Sequence, residues 1–329
     1  MERHAWILSL LLLSCGSERK TVPSTDGDED AGPDADTDSD TDSDADSDSD
    51  TDSDTDEDPC QLCLDAAELA LCGCLNRDPG TLHDGADPNI DSVGTLAVLL
   101  YDENPDGGGG GGGRRPEPID IFMVEDADLS DPEAAIYFSF PTVRHPGPLV
   151  SQTYFVSAIL SEDGTDLDQG LELGDLLLAP NREVDLGDVP LARDFQMSMR
   201  LRGFEGEVSL DPDLVYGGDA TGPGVVIAYE DIPADGVPAI GFGGIPGEGP
   251  GMPPDLSAGP RPYRLMLFSP FFDSGDLWID AILDDDNSGI EGGLTDGDLH
   301  IDPATMATFP EGEYRVELDL VIDSVVTGG

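Results

Sequence analysis

The residues with the clearest chemical potential are carboxylates at alternate positions: Asp284, Asp286 and Ser288, followed by Gly289, with Ile290, Asp296 and Asp298 further along. Oxygen donors spaced in this way can wrap one hard cation, and glycine allows the sharp turn that the wrapping needs. A second, related stretch carries Asp163, Asp166, Asp168 and Asp175. Crowding this many carboxylates without a counter-charge raises their mutual repulsion, so the pattern predicts a calcium site in each stretch. The bland reading is a solvated turn whose Asp side chains accept hydrogen bonds from nearby backbone amides. Other chemistry has little to work with. His83, His145 and His300 are the only histidines after His4, none lies in an H-E-x-x-H pair, and there is no G-x-S-x-G elbow. The sequence therefore predicts no catalytic residues and a protein that is not an enzyme.

The two acidic stretches are copies. Tyr154–Leu178 aligns without a gap on Leu277–Ile301 at a constant offset of 123, with nine of 25 positions identical, among them Asp163/Asp286, Gly170/Gly293, Gly174/Gly297 and Asp175/Asp298. Asp284-x-Asp286-x-Ser288-Gly289 resembles the opening of an EF-hand-type loop, although Thr295 stands where that loop ends on a bidentate Glu, so Asp296 or Asp298 would close the shell. Around this unit, apolar runs separated by Gly, Pro and Asp read as strands at 95–101, 136–140, 154–160 and 195–201, then at 225–229, 263–268, 277–283 and 314–320. The strand at Thr95 is expected to match that at Val225, and the strand at Phe195 that at Tyr314. Trp278, aligned with Phe155, reads as a core residue. The prediction is all-β, with two tandem immunoglobulin-like β-sandwich domains over 89–205 and 206–329. Strand order and loop character resemble transthyretin-like and collagen-adhesin B-type domains. The Lys-Asn cross-link that such a resemblance implies has no donor here, because Lys20 is the only lysine. Gly107–Gly113 followed by Arg114-Arg115 reads as a loop in the first copy.

Ahead of these domains the chain has three other parts. Residues 1–14 read as a signal peptide: Arg3, an apolar run too short to span a bilayer, then Ser14-Cys15. Leu12-Leu13-Ser14-Cys15 resembles the bacterial lipobox, which implies lipidation at Cys15 and attachment to the membrane, with Gly16 pointing to the outer membrane. Residues 15–59 form a tether in which Thr21–Asp58 holds 18 acidic residues and no Lys or Arg, a composition that stays disordered and extended. At about 3.3–3.6 Å per residue it could reach roughly 130 Å. Its Asp-x-Asp rhythm is read as counterion condensation rather than specific calcium binding. Residues 60–88 carry Cys60, Cys63, Cys72 and Cys74. An even count in an exported protein predicts disulfides, and Asp58-Pro59 with Leu62, Ala66, Leu69 and Ala70 predicts a short helix. Three connectivities stay open, as does a four-thiolate zinc site.

Charge bounds the partners. The whole chain carries 71 acidic and 14 basic residues, and from Pro59 onward 51 acids face 11 arginines. Nucleic acid is excluded as a partner on electrostatic grounds. What is left is, in order, a membrane-anchored surface or periplasmic module that binds a protein or carbohydrate partner, a structural spacer or envelope-assembly component, and a hydrolase whose site has no sequence signature.

Overall fold

The computed structural model describes residues 69–105, 116–140, 148–162, 170–233, 237–249, 251–269, 272–285 and 294–327. Within them the chain forms strands and no helix. The first ten strands are β1 (Leu71–Arg77), β2 (Val93–Tyr101), β3 (Asp120–Asp128), β4 (Ile136–Phe140), β5 (Gln152–Ser161), β6 (Leu176–Leu177), β7 (Arg182–Leu186), β8 (Leu191–Ala192), β9 (Phe195–Met197) and β10 (Met199–Arg200). The second ten are β11 (Arg202–Leu210), β12 (Gly224–Tyr229), β13 (Ala239–Gly244), β14 (Arg261–Leu267), β15 (Gly275–Leu283), β16 (Leu299–His300), β17 (Thr305–Phe309), β18 (Arg315–Glu317), β19 (Leu320–Ile322) and β20 (Ser324–Val325).

Alternation decides which face of each strand is buried. In β5, Tyr154, Val156, Ala158 and Leu160 point inward, and in β15 the matching Leu277, Ile279, Ala281 and Leu283 do the same. In the first unit a four-stranded sheet (β4-β1-β8, with β9 beside β1) packs on a six-stranded one (β10-β6-β5-β2-β3, with β7 beside β5). Leu71, Leu75, Phe138, Phe140 and Phe195 from the first sheet meet Leu96, Val98, Leu100, Val156 and Leu160 from the second in one core. The second unit encloses its own core around Phe204, Leu265, Ile279, Phe309 and Leu320. Its ten strands form one continuous sheet, because β13 pairs with β14 through Gly241↔Leu267 and Phe242↔Met266. No such ladder joins β3 to β4 in the first unit, where β3 ends its sheet.

The duplication extends beyond the aligned 25 residues. β5, β6 and β7 superpose in register on β15, β16 and β17 at the same offset of 123. The cis peptides Ala179-Pro180 and Asp302-Pro303 also fall at matching positions. β1 and β11 each pair antiparallel with one strand and parallel with two: β4, β8 and β9 for the first, β14, β18 and β19 for the second.

This equivalence bears on three expectations. Leu71–Arg77, in the Cys-rich segment 60–88, forms the first strand of the first sandwich, while the residues before Leu69 on which the predicted short helix rests lie outside the described residues. Leu71 and Leu75 place an apolar face of this strand into the core, both fully buried. Cys72 and Cys74 lie on this strand and are disulfide-bonded; Cys60 and Cys63 lie outside the described residues. Second, the strand at Phe195 matches Leu320–Ile322 rather than Tyr314–Leu320, since Leu75↔Phe195 and Val208↔Leu320 are the corresponding parallel pairs. Third, Trp278 is half-buried on the face of β15 opposite the core, opposite Tyr229 and Met306 on the flanking strands. The change of sheet between the units falls between Arg200 and Arg202. The Gly107–Gly113 loop lies outside the described residues.

Candidate functional site

The predicted calcium residues divide by position. Asp163, Asp166 and Asp168 in the first copy, and Asp286, Ser288 and Ile290 in the second, lie outside the described residues, as do Cys15 and the tether. Asp175, Asp284, Asp296 and Asp298 are described, and all four stand at the end of the sandwich where β5 and β15 finish. Asp296 is exposed in a turn, whereas Asp175, Asp284 and Asp298 are at most 2% exposed.

Asp175 and Asp298 do the same local job. The Glu172 amide donates to Asp175 Oδ2 at 2.8 Å, and the Thr295 amide donates to Asp298 Oδ2 at 2.7 Å, with the Thr295 hydroxyl adding a second bond at 3.1 Å. Each Asp thereby closes the turn that leads into β6 or β16. The residue before it is in the left-handed region, Gly174 at φ 106° and Gly297 at φ 105°, which glycine adopts without a Cβ clash. These conserved-in-duplicate carboxylates therefore have a structural role of the kind the bland reading describes.

A second carboxylate pair caps the entry to the central strands. Ser92 (φ 63°) and Ala220 (φ 53°) precede β2 and β12 in matching left-handed turns. The Ser92 amide donates to Glu162 Oε2 at 2.7 Å, and the Thr221 amide donates to Asp285 Oδ1 at 3.1 Å. Glu162 and Asp285 are equivalent at the offset of 123.

The two ends then diverge. In the first unit Glu162 is paired with Arg200, and both side chains are only 1% exposed. The Arg200 guanidinium also donates to Leu82 O at 3.1 Å, Gly174 O at 2.6 Å and Ser92 Oγ at 3.0 Å, and His83 Nδ1 lies 3.1 Å from that hydroxyl. Asp175 is close enough to favour the guanidinium charge. Burial pushes Glu162 up to about 7 against the pull of Arg200 and of the Ser92 amide. Burial, followed by the positive charges of Arg77 and Arg200, also holds His83 below its ordinary value. Sequence reading did not find Arg200. It lies 38 residues from Glu162, and only the β6–β10 pairing, with Arg200 opposite Leu176, brings them together.

In the second unit the position of Arg200 belongs to Val325: Leu176↔Arg200 corresponds to Leu299↔Val325. There the carboxylates are more numerous. Asp284 replaces Ser161, and Asp285 replaces Glu162, with burial raising Asp285 above the ordinary carboxylate range. On the neighbouring face of β15, Asp280 stands where the first unit has Ser157. It is 9% exposed, its Oδ1 has no hydrogen-bond partner, and burial pushes it up to about 7. Among the described residues no three His, Cys, Asp or Glu side chains converge as a metal cage.

Clefts among the described residues are open and polar. The larger, about 560 Å³, is lined by Asn76, Arg182, Glu183, Arg193 and Asp194 with Phe195 and Gln196. The smaller, about 280 Å³, lies where Arg200 and Arg202 meet Phe272 and Asp273.

Two exposed apolar side chains lie close together at the open edge of the first unit. Ile121 is 43% exposed and Met123 56% exposed, two residues apart on the outer face of β3. Phe122 and Val124, between and after them, pack on the core.

No protein family and no curated protein matches the chain. Among solved structures, it is similar to a leucine-rich repeat protein from Bacteroides thetaiotaomicron (8% identity, 78% of this chain, TM-score 0.28), of which it spans only 27%. It is also similar to a candidate adhesin from the same organism (10% identity, 68% of this chain and 78% of that one, TM-score 0.22). A third is a fimbrial assembly protein from Parabacteroides distasonis (10% identity, 76% and 89%, TM-score 0.25). Likeness at this level fixes neither topology nor activity.

Proposed function

We propose that this protein is an envelope lipoprotein that carries two β-sandwich units on an acidic tether and uses the first of them to bind a protein surface. The observation that carries the binding role is the open edge of β3. Ile121 and Met123 are exposed side by side on a strand that is unpaired on its far side among the described residues. Its counterpart β13 is covered by β14. Folded proteins usually blunt an edge of this kind with charge, proline or a covering strand; on β3 the charges sit at its ends, Asp120 and Glu125, Asp126 and Asp128, so the uncharged stretch Ile121–Val124 between them is the part a partner's strand could add to. A carbohydrate would be met instead by exposed aromatic rings, and neither Ile121 nor Met123 supplies one.

The expected result is that cells making the full chain attach to protein-coated surfaces better than cells lacking it, and that Met123→Lys removes this difference while the unfolding midpoint stays put. Attachment unchanged by Met123→Lys would overturn the role of β3, and attachment only to polysaccharide would assign the binding to another class of ligand.

Anchoring is proposed from the lipobox-like Leu12–Cys15 and the tether that follows it. Cys15→Ser is expected to move the protein from the membrane fraction to the soluble fraction, as read by fractionation and detergent partitioning. Retention in the membrane would place the anchor elsewhere. For the disulfides we propose that Cys60 and Cys63 are the partners of Cys72 and Cys74, clamping the start of the first sandwich to the end of the tether, which the oxidising exterior of the cell would preserve.

A further inference from the structure

We infer that the cleft beside β1, β7 and β9 of the first unit is an anion site, in which Arg182 and Arg193 take the carboxylate of a small hydroxyl-bearing acid of the sugar-acid type. The site is separate from the adhesion surface, since none of its residues belongs to β3.

Positive charge is scarce in this chain, and nearly all of it is engaged. Eight arginines lie among the described residues. Five form ion pairs: Arg200 with Glu162, Arg202 with Asp273, Arg261 with Glu248, Arg264 with Glu172 and Arg315 with Glu205. A sixth, Arg77, is buried and donates to Leu129 O, Thr81 O and Ser130 O at 3.1, 3.3 and 2.8 Å. Arg182 and Arg193 are left, with no side-chain hydrogen bond or ion pair among the described residues, and both line the same cleft. The acids beside them do not neutralise them. Asp194 Oδ1 accepts from the Cys74 amide at 3.2 Å, just as Asp319 Oδ1 accepts from the Glu207 amide at 3.0 Å in the second unit, so Asp194 belongs to the duplicated frame. Glu183 is exposed and forms no ion pair with either arginine.

The second unit is built without these arginines. Val156↔Arg182 corresponds to Ile279↔Thr305, and the Arg193 amide donates to Cys72 O as the Leu318 amide donates to Glu205 O. Thr305 and Leu318 therefore stand where the first unit has its two arginines. Gln196 likewise gives way to Val321, since Leu75↔Phe195 matches Val208↔Leu320. The same strands pair in the same register with either set of side chains, so the fold does not require the polar one.

The side chains describe what the cleft can hold. A guanidinium presents paired donors that match the two oxygens of a carboxylate. Asn76 Nδ2 is held by Pro132 O at 3.3 Å, which leaves the amide oxygen to accept from a hydroxyl, and Gln196 adds a second, exposed amide. Phe195 is only 6% exposed and offers little apolar surface. The volume of about 560 Å³ falls within the roughly 300–1,000 Å³ of small-molecule sites. A polyanion is disfavoured, because 51 acids against 11 arginines from Pro59 onward repel it, and two local cations do not offset that field. One carboxylate flanked by hydroxyls meets both conditions.

The test titrates the full chain with glucuronate, and with glucose as its uncharged twin, by calorimetry at low salt. Glucuronate should bind on the order of tenfold or more tightly than glucose, and added sodium chloride should weaken it. Arg182→Thr, which copies the second unit, and Arg193→Gln should each weaken glucuronate binding on the order of tenfold while the unfolding midpoint stays put, since neither side chain has a partner in the fold. Glucose bound as tightly as glucuronate, or glucuronate binding untouched by both variants, would overturn the site. Tetra-aspartate bound through the same arginines more tightly than glucuronate would overturn the sugar-acid assignment in favour of an acidic peptide, and binding of neither would overturn the anion site altogether.

Discussion

Replacing Arg200 by Met is expected to destabilise the first unit by about 3–5 kcal/mol, the usual result of removing one partner from a buried ion pair. The substitution conserves most of the buried volume, so the loss is electrostatic and hydrogen-bonding in origin. It leaves the Glu162 carboxylate at the bottom of a site closed to water, and takes the donors away from Leu82 O, Gly174 O and Ser92 Oγ. The effect should appear in urea unfolding as an earlier transition of the first unit, with the second displaced much less. A control separates pairing from packing. In the Arg200→Met, Glu162→Gln double variant the residual carboxylate is gone, and a substantial part of the lost stability should return at pH 7 and above. Equal loss in single and double variants would show that the network of backbone carbonyls matters and the charge pair does not.

The second large effect is a pH dependence located at Asp280. Its folded-state value is raised by burial from 3.8 to about 7, with the Ile301 and Ala281 backbone groups pulling the other way. Below pH 4 the carboxyl is protonated in both folded and unfolded chains and contributes nothing. Between about 4 and 7 the unfolded chain releases the proton while the folded chain keeps it, so stability falls as pH rises; above 7 the full penalty is present. At 1.36 kcal/mol per pKa unit, the whole window is worth on the order of 4 kcal/mol. Asp280→Ser copies the residue that the first unit has at the matching place, Ser157. It is expected to raise stability by a few kcal/mol at pH 8, to change little at pH 4, and to flatten the profile between. The same gain at both pH values would mean that Asp280 is tolerated as a neutral acid and that packing alone is at issue. Tyr229, pushed up to about 12 by burial first and Asp280 second, should titrate at lower pH in that variant.

Both effects arise where the duplicated frame has been altered. The turn-closing Asp175 and Asp298, the left-handed Gly174 and Gly297, and the capping Glu162 and Asp285 hold the strand ends in the same way in each unit. Around them, one unit uses an arginine and leaves β3 open, and the other adds acids and closes the edge through β13–β14. A common scaffold with different ends lets two copies of one sandwich take separate roles.

The sequence by itself determined the period-two strands, the 25-residue duplication and the turn chemistry of Asp175 and Asp298, because each depends on neighbours within a few residues. Strands such as Ile136–Phe140 fall where the pattern places them. It also determined the acidic character of the chain. Tertiary structure alone decided the rest. Leu71–Arg77 became a strand because β4, β8 and β9, all more than 50 residues away in the chain, complete its ladders and bury Leu71 and Leu75. Arg200 became a structural cation, and Val325 its silent counterpart, through a strand pairing only two residues long. Local pattern records which side chain faces inward; it does not record which distant charge will be waiting there, since that is set by register between strands brought together only when the core closes.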